Sequence, residues 1–254
     1  MILDSFRLDG RVALVTGTHR GLGRAIATAL AEAGADIAAL DRSDPAGTAA
    51  VVKGCGRRFL HIECDLLEAG PEELQKAVDR VRSGLGGPDI LVNNAGIIRR
   101  APAAEFGEAD WDDVLQVNLK AAFFLSQAAA RAMIEKGAGK IIHIASMLSF
   151  QGGILVPSYT AAKSGLAGLT RAMANEWASK GINVNAIAPG YMETDNTAPL
   201  RADPKRSAAI LERIPAGRWG LPADLQGVAV FLASPASDYL NGAIIPVDGG
   251  WLAR

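Results

Sequence analysis

A β-branched run closed by glycines sets the start of this chain. Residues 11–16 (RVALVT) are apolar and run into Gly17, the pattern of a buried strand. Gly21, Leu22 and Gly23 follow at once. Residues 22–33 are alanine-rich and stop at Gly34, as a helix with a glycine stop does. A strand, a glycine-rich turn and a helix in that order leave free backbone N–H groups at a helix N-terminus, where a pyrophosphate is readily held. The spacing is GxxxGxG. A lone glycine motif also occurs in ordinary turns, and its position after the first strand is what gives it weight.

The alternation continues to the C-terminus. Strands are expected at 36–40, 59–63, 89–92, 140–145, 182–187 and 243–247. Helices are expected at 71–82, 111–136 and 158–179, with one more after Pro222. Ser158 reads as an N-cap. Connections of this length are crossovers, so the sheet is expected to be mostly parallel with helices on both faces. No Pro/Gly/Ser linker or repeat divides the 254 residues. The reading is therefore α/β: one doubly wound domain, 1–254, around a seven-stranded sheet. Residues 191–215 are polar, carry Pro199 and Pro204, and follow a strand end. They are read as a mobile lid.

Composition removes several function classes. Net charge is −1 with no basic block, which argues against a nucleic-acid partner. No stretch reaches about 18 uninterrupted apolar residues, the length a simple membrane span needs, and residues 1–10 lack the apolar core of a signal peptide. Cys55 and Cys64 have no CxxC spacing, and His19 and His61 form no cluster with them, so no metal is expected. Such cysteine usage suits a reducing cytosol, and a cytoplasmic location is expected.

Tyr159 and Lys163 stand i, i+4 at the start of a helix and share one face. A tyrosine of ordinary pKa, about 10, is a poor base at neutral pH. A neighbouring ammonium is expected to stabilise its phenolate and lower that value. Ser146 ends a strand thirteen residues earlier, where its hydroxyl can hold a substrate oxygen. At the other end of the expected cleft, Asp41 closes the second strand, 18 residues after Gly23. A carboxylate there accepts from ribose hydroxyls and repels a 2′-phosphate, which favours NAD. Arg20 and Arg42 pull toward NADP.

With these residues in place, the chain resembles the classical short-chain dehydrogenases/reductases over essentially its whole length. The matching motifs are 16–23, NNAG at 93–96, Asn118, Ser146, Tyr159-xxx-Lys163 and Pro189-Gly190. The resemblance implies a Rossmann-type fold and a tetrad of Asn118, Ser146, Tyr159 and Lys163, in which Asn118 holds a water that links Lys163 to solvent. It implies cofactor contacts from Gly17, Arg20, Gly21, Leu22 and Gly23. It adds Asp65 and the adjacent Leu66 at the adenine, Asn93, Ala95 and Gly96 at a supporting turn, Pro189 and Gly190, and Thr194 at the carboxamide. It also implies a homotetramer packed through the long helices 111–136 and 158–179.

Segments 144–159, 186–192, 214–221 and 247–254 further resemble the family's 2-dehydro-3-deoxy-D-gluconate 5-dehydrogenases, also described as 2-deoxy-D-gluconate 3-dehydrogenases. That implies a sugar-acid substrate and NAD-linked interconversion of a hydroxyl and a ketone. Arg99 and Arg100 are candidates to clasp the carboxylate, with Gln151 and Tyr191 as hydroxyl partners. His143 is expected to pack within its strand. Two rival readings stay open: an NADPH-dependent 3-oxoacyl carrier-protein reductase, and a catalytically silent NAD-binding sensor or scaffold.

Overall fold

The computed structural model describes residues 1–254. Seven strands form one all-parallel sheet: β1 (Val12–Thr16), β2 (Asp36–Asp41), β3 (Phe59–Glu63), β4 (Ile90–Asn93), β5 (Gly139–Ile144), β6 (Ile182–Pro189) and β7 (Ile244–Val247). Their order is β3-β2-β1-β4-β5-β6-β7. The order reverses between β1 and β4, and a crevice opens beyond the carboxyl ends of strands at such a point.

Helices cover both faces: α1 (Gly21–Glu32), α2 (Ala46–Gly54), α3 (Pro71–Leu85), α4 (Glu108–Leu115), α5 (Ala121–Lys136), α6 (Pro157–Trp177), α7 (Ala198–Ala202), α8 (Pro204–Arg213) and α9 (Gln226–Ala233). The period-2 alternation of a strand explains the two layers. Val12 and Leu14 of β1 pack with Leu74 and Val78 of α3 and Leu125 of α5. Their neighbours Ala13 and Val15 pack with Ile26 and Leu30 of α1 and Ala229 of α9. Both faces of the strand are apolar, as a sheet buried on both sides requires.

Two local expectations are corrected, and two helical segments are added. Segment 111–136 is not one helix: a π-helical turn, Gln116–Lys120, joins α4 to α5. Ser158 is not the N-cap of α6. Pro157, which has no N–H to satisfy, takes the first helical turn, and the Ser158 hydroxyl is buried inside the helix without a partner. Helix α2 was not foreseen. Segment 191–215 carries helices α7 and α8, and the Asp203 carboxylate caps α8 by accepting from Lys205 N and Arg206 N. A small apolar cluster of Met147, Ile210, Ile214, Trp219 and Trp251 seats α8 and the C-terminus beside the end of β5. Arg254 adds hydrogen bonds to the Glu212 and Arg213 carbonyls.

Candidate active site

The turn after β1 is built from backbone. Gly17 has φ +71°, and a Cβ on Gly23 would collide with the Gly17 carbonyl oxygen. The chain can fold back on itself here only as glycine. Thr16 Oγ1 accepts from Asn94 N (3.0 Å) and Ala95 N (2.9 Å). Asn94 Nδ2 donates to the carbonyls of Thr16 (2.9 Å) and Gly17 (3.1 Å). Asn94 therefore ties the ends of β1 and β4 together. The Asn93 amide turns instead into the helix layer and donates to Ser126 Oγ at 2.9 Å.

A cleft of about 700 Å³ runs over these turns, within the range of small-molecule sites. It is lined by Gly17, Arg20, Gly21, Leu22, Gly23, Asp41, Asp65, Leu66, Ala95, Gly96, Asn118, Tyr159, Lys163 and Thr194. With Arg99, which also lines it, fifteen residues singled out in the sequence as site candidates converge on one surface. Asn93, Ser146, Arg100, Gln151, Pro189, Gly190 and Tyr191 are not part of the lining. Asp195 and Asn196 are, within the segment 191–215 read as a lid, although neither had been singled out individually.

Asp41 is buried at the end of β2, and both of its carboxylate oxygens have partners. Thr18 Oγ1 donates to one at 2.6 Å and His19 N to the other at 3.3 Å. Asp65 Oδ1 accepts from Leu67 N at 3.0 Å, which fixes the loop after β3.

Lys163 is buried, and its ammonium donates to the Ile144 carbonyl at 2.6 Å, anchoring α6 to the end of β5. Burial pulls its pKa down to about 8. The ammonium lies 5.6 Å from the Tyr159 ring centroid. The expected depression of the Tyr159 pKa is not met. Burial raises it, against smaller lowering effects from a Ser146 hydrogen bond and from the Arg100 charge. Ser146 is where the sequence put it, beyond β5, with its Oγ also accepting from Leu148 N at 3.2 Å.

Asn118 sits in the π-turn. Its amide donates to the Ile97 (2.9 Å) and Val114 (3.0 Å) carbonyls, and its buried Oδ1 accepts from no protein group. A Cβ on Gly96 would stand 2.5 Å from that oxygen and 3.8 Å from Lys163 Nζ. Gly96, Asn118 and Lys163 therefore enclose one polar spot with an open acceptor.

The candidate substrate contacts separate. Arg99 is spent within the chain, its guanidinium pairing with Asp110 (3.1 Å) and Asp113 (3.2 Å) on α4. Arg100 is exposed and donates to the Asn196 carbonyl at 3.1 Å. Gln151 Oε1 accepts from Arg213 Nη2 at 3.4 Å. The Tyr191 ring meets Trp219 and Trp251 edge-on, with centroids 5.5 and 4.8 Å away. His143 is buried, as expected of a strand histidine. Its ring nitrogens lie 3.2 Å from Ser126 Oγ and 2.9 Å from Thr170 Oγ1.

The glycine cradle, the carboxylate at the end of β2 and the open Asn118 acceptor fit a nicotinamide dinucleotide, with a tyrosine hydroxyl beside it. Fold and site together define a dinucleotide-dependent oxidoreductase of the parallel α/β class. The chain belongs to the short-chain dehydrogenase/reductase family, and residues 17–252 match the family model described as enoyl-(acyl carrier protein) reductase. It is 60% identical to 2-dehydro-3-deoxy-D-gluconate 5-dehydrogenase of Escherichia coli K12, with 100% of both chains covered. It is 54% identical to the Bacillus subtilis 168 protein of the same name, over 99% of this chain and 98% of the relative. A gluconate 5-dehydrogenase from Burkholderia cenocepacia J2315, solved with NADP and tartrate, matches with a TM-score of 0.95 at 43% identity, covering 100% of both chains. An Agrobacterium tumefaciens structure with bound NADP matches at 0.92 and 57% identity, over 99% of this chain and 100% of that one.

Proposed function

We propose that this oxidoreductase interconverts a secondary hydroxyl and a ketone on a deoxy sugar acid of the 2-dehydro-3-deoxy-D-gluconate or 2-deoxy-D-gluconate kind. The observation that carries the reading is Arg100: an exposed cation held by the carbonyl of Asn196, which lines the cleft, and whose charge acts to lower the Tyr159 pKa. A substrate with an anionic end and a reacting carbinol suits that pairing. Full-length likeness to named sugar-acid dehydrogenases supports it.

Tyr159 acts as the acid–base group, taking the proton of the hydroxyl in oxidation and returning it in reduction. Ser146 holds the same oxygen as carbonyl character develops. Lys163, fixed by Ile144, and the Asn118 oxygen maintain a polar path behind Tyr159. The dinucleotide supplies the hydride exchange when bound. The two helices of segment 191–215 serve as a lid, hinged at the end of β6.

NAD is the proposed partner, because the buried Asp41 carboxylate faces the adenosine end and opposes a 2′-phosphate. NADP is the second reading. Arg20 and Arg42 stand on the same rim, and similar solved structures hold NADP. The protein is further proposed to work as a cytoplasmic homotetramer. No helix is long and apolar enough to cross a membrane, and exposed Trp111 on α4 and Ile134 on α5 suit a helix-to-helix contact.

The test is turnover with each dinucleotide on a panel of deoxy sugar acids and acetoacetyl thioesters. Sugar-acid turnover that vanishes in Tyr159→Phe, with dinucleotide binding intact, is the expected result. Activity on the thioesters alone would favour the carrier-protein reductase. No turnover at all, with tight dinucleotide binding, would favour a sensor.

A further inference from the structure

Three consecutive residues of the turn after β1 each engage a carboxylate. Thr18 and His19 hold Asp41. The third, Arg20, holds Asp195, with Nη1 to Oδ2 at 2.8 Å. Asp195 opens the short 3-10 turn Asp195–Thr197 that leads from β6 into α7, so this pair joins the two banks of the cleft. The turn is itself braced. Thr197 Oγ1 donates to the Met192 and Thr194 carbonyls, Arg201 donates to the Thr194 carbonyl and Arg100 to that of Asn196.

We propose that Asp195 is a specificity residue for the nucleotide: by occupying Arg20 it withholds that cation from the adenosine end and biases the protein against a 2′-phosphate. The inference rests on reading the cleft as a dinucleotide site. Two arginines flank Asp41 on the rim. Arg42 has no carboxylate within ion-pair reach, whereas Arg20 is paired. A ribose 2′-phosphate must settle beside the buried Asp41 carboxylate, and it needs cations there to offset the repulsion. An arginine already facing a carboxylate offers little net charge to a second anion. Asp195 thus acts on the choice of dinucleotide from the opposite bank, without touching the adenosine itself.

The pair is exposed, with side-chain accessibilities of 71% and 68%, so its influence is modest and salt-sensitive. The test is equilibrium binding of NAD and NADP, by calorimetry without substrate, to wild type, Asp195→Asn, Arg20→Gln and the double variant. Asp195→Asn is expected to tighten NADP about threefold, the scale of one exposed ion pair, and to leave NAD unchanged. The gain should disappear in the Arg20→Gln background and shrink in high salt. An unchanged NADP-to-NAD ratio, equal tightening of both, or a gain that persists without Arg20 would each overturn the proposal while leaving the cleft's reading intact. Failure of wild type to bind either dinucleotide would overturn both.

Discussion

The Lys163 ammonium donates to the Ile144 carbonyl while lying 5.6 Å from the Tyr159 ring centroid. The lysine therefore fixes α6 on β5 in the same contact that sets its distance from the tyrosine. Its cost is a buried charge, visible in a pKa pulled down to about 8.

That cost gives the first prediction. The folded value lies below the ordinary lysine value near 10.5, so the unfolded chain binds the proton more tightly. The penalty is fully present below pH 8 and fades as pH rises from 8 toward 10.5. Lys163→Met removes the penalty, at the expense of an unpaired Ile144 carbonyl. The stability of wild type relative to Lys163→Met should rise by about 2 kcal/mol between pH 8 and 9.5, at 1.36 kcal/mol per pKa unit. Denaturant unfolding at stepped pH measures this, and a flat difference would refute the buried-ammonium account. Turnover of the methionine variant should be lost at every pH.

Much of this site was legible in the sequence because its signals are local. The i, i+4 pair needs only a helix, and a strand that runs into glycines needs only the period-2 pattern and a turn. What escaped depends on contacts distant in sequence or on small slips within an element. The π-turn at 116–120 leaves the apolar pattern of its helix nearly unchanged, so periodicity merged α4 and α5. Arg99 was read as free because its partners Asp110 and Asp113 belong to a helix whose facing direction the sequence does not show. The Tyr159 pKa was expected to fall because a cation is near, but burial outweighs the charges that act on it.

Gly96 and Asn118 give the second prediction. Alanine at 96 would press its Cβ against Asn118 Oδ1 at 2.5 Å. Overpacking of this kind costs roughly 1–3 kcal/mol. In an Asn118→Ala background the obstructing oxygen is gone, and Gly96→Ala should cost much less. A double-mutant cycle read by chemical denaturation tests this. Equal costs in the two backgrounds would show that the clash is not with Asn118.

His143 gives a third. Burial holds its pKa down to about 3, against 6.5 for an ordinary histidine. The imidazole is neutral in the fold, and the unfolded chain takes the proton first as pH falls. Its contribution is complete above pH 6.5 and is lost progressively toward pH 3, by about 4 kcal/mol at the limit. His143→Gln should begin less stable at neutral pH, because the Ser126 and Thr170 hydroxyls lose their partner. It should then decline less steeply than wild type between pH 6.5 and 4. Parallel thermal-melting curves over that range would contradict the assignment.

Arg99 and Arg100 are adjacent in sequence and opposite in expected behaviour. Arg99 is neutralised by Asp110 and Asp113, so Arg99→Ala should cost at most about 1 kcal/mol of stability, as partly exposed pairs do, and leave the KM for a sugar acid near its wild-type value. Arg100→Ala should raise that KM by roughly tenfold or more, the scale of one charge-assisted hydrogen bond. Because the Arg100 charge lowers the Tyr159 pKa, its removal should also move the tyrosine limb of the kcat/KM profile to higher pH. Steady-state kinetics across pH, with the neutral sugar alcohol as control, separates the two effects. Loss of the anionic end should abolish the KM difference between wild type and Arg100→Ala and leave the displacement of the pH limb in place. If Arg99→Ala raises KM as much as Arg100→Ala does, the carboxylate is held by the pair rather than by Arg100.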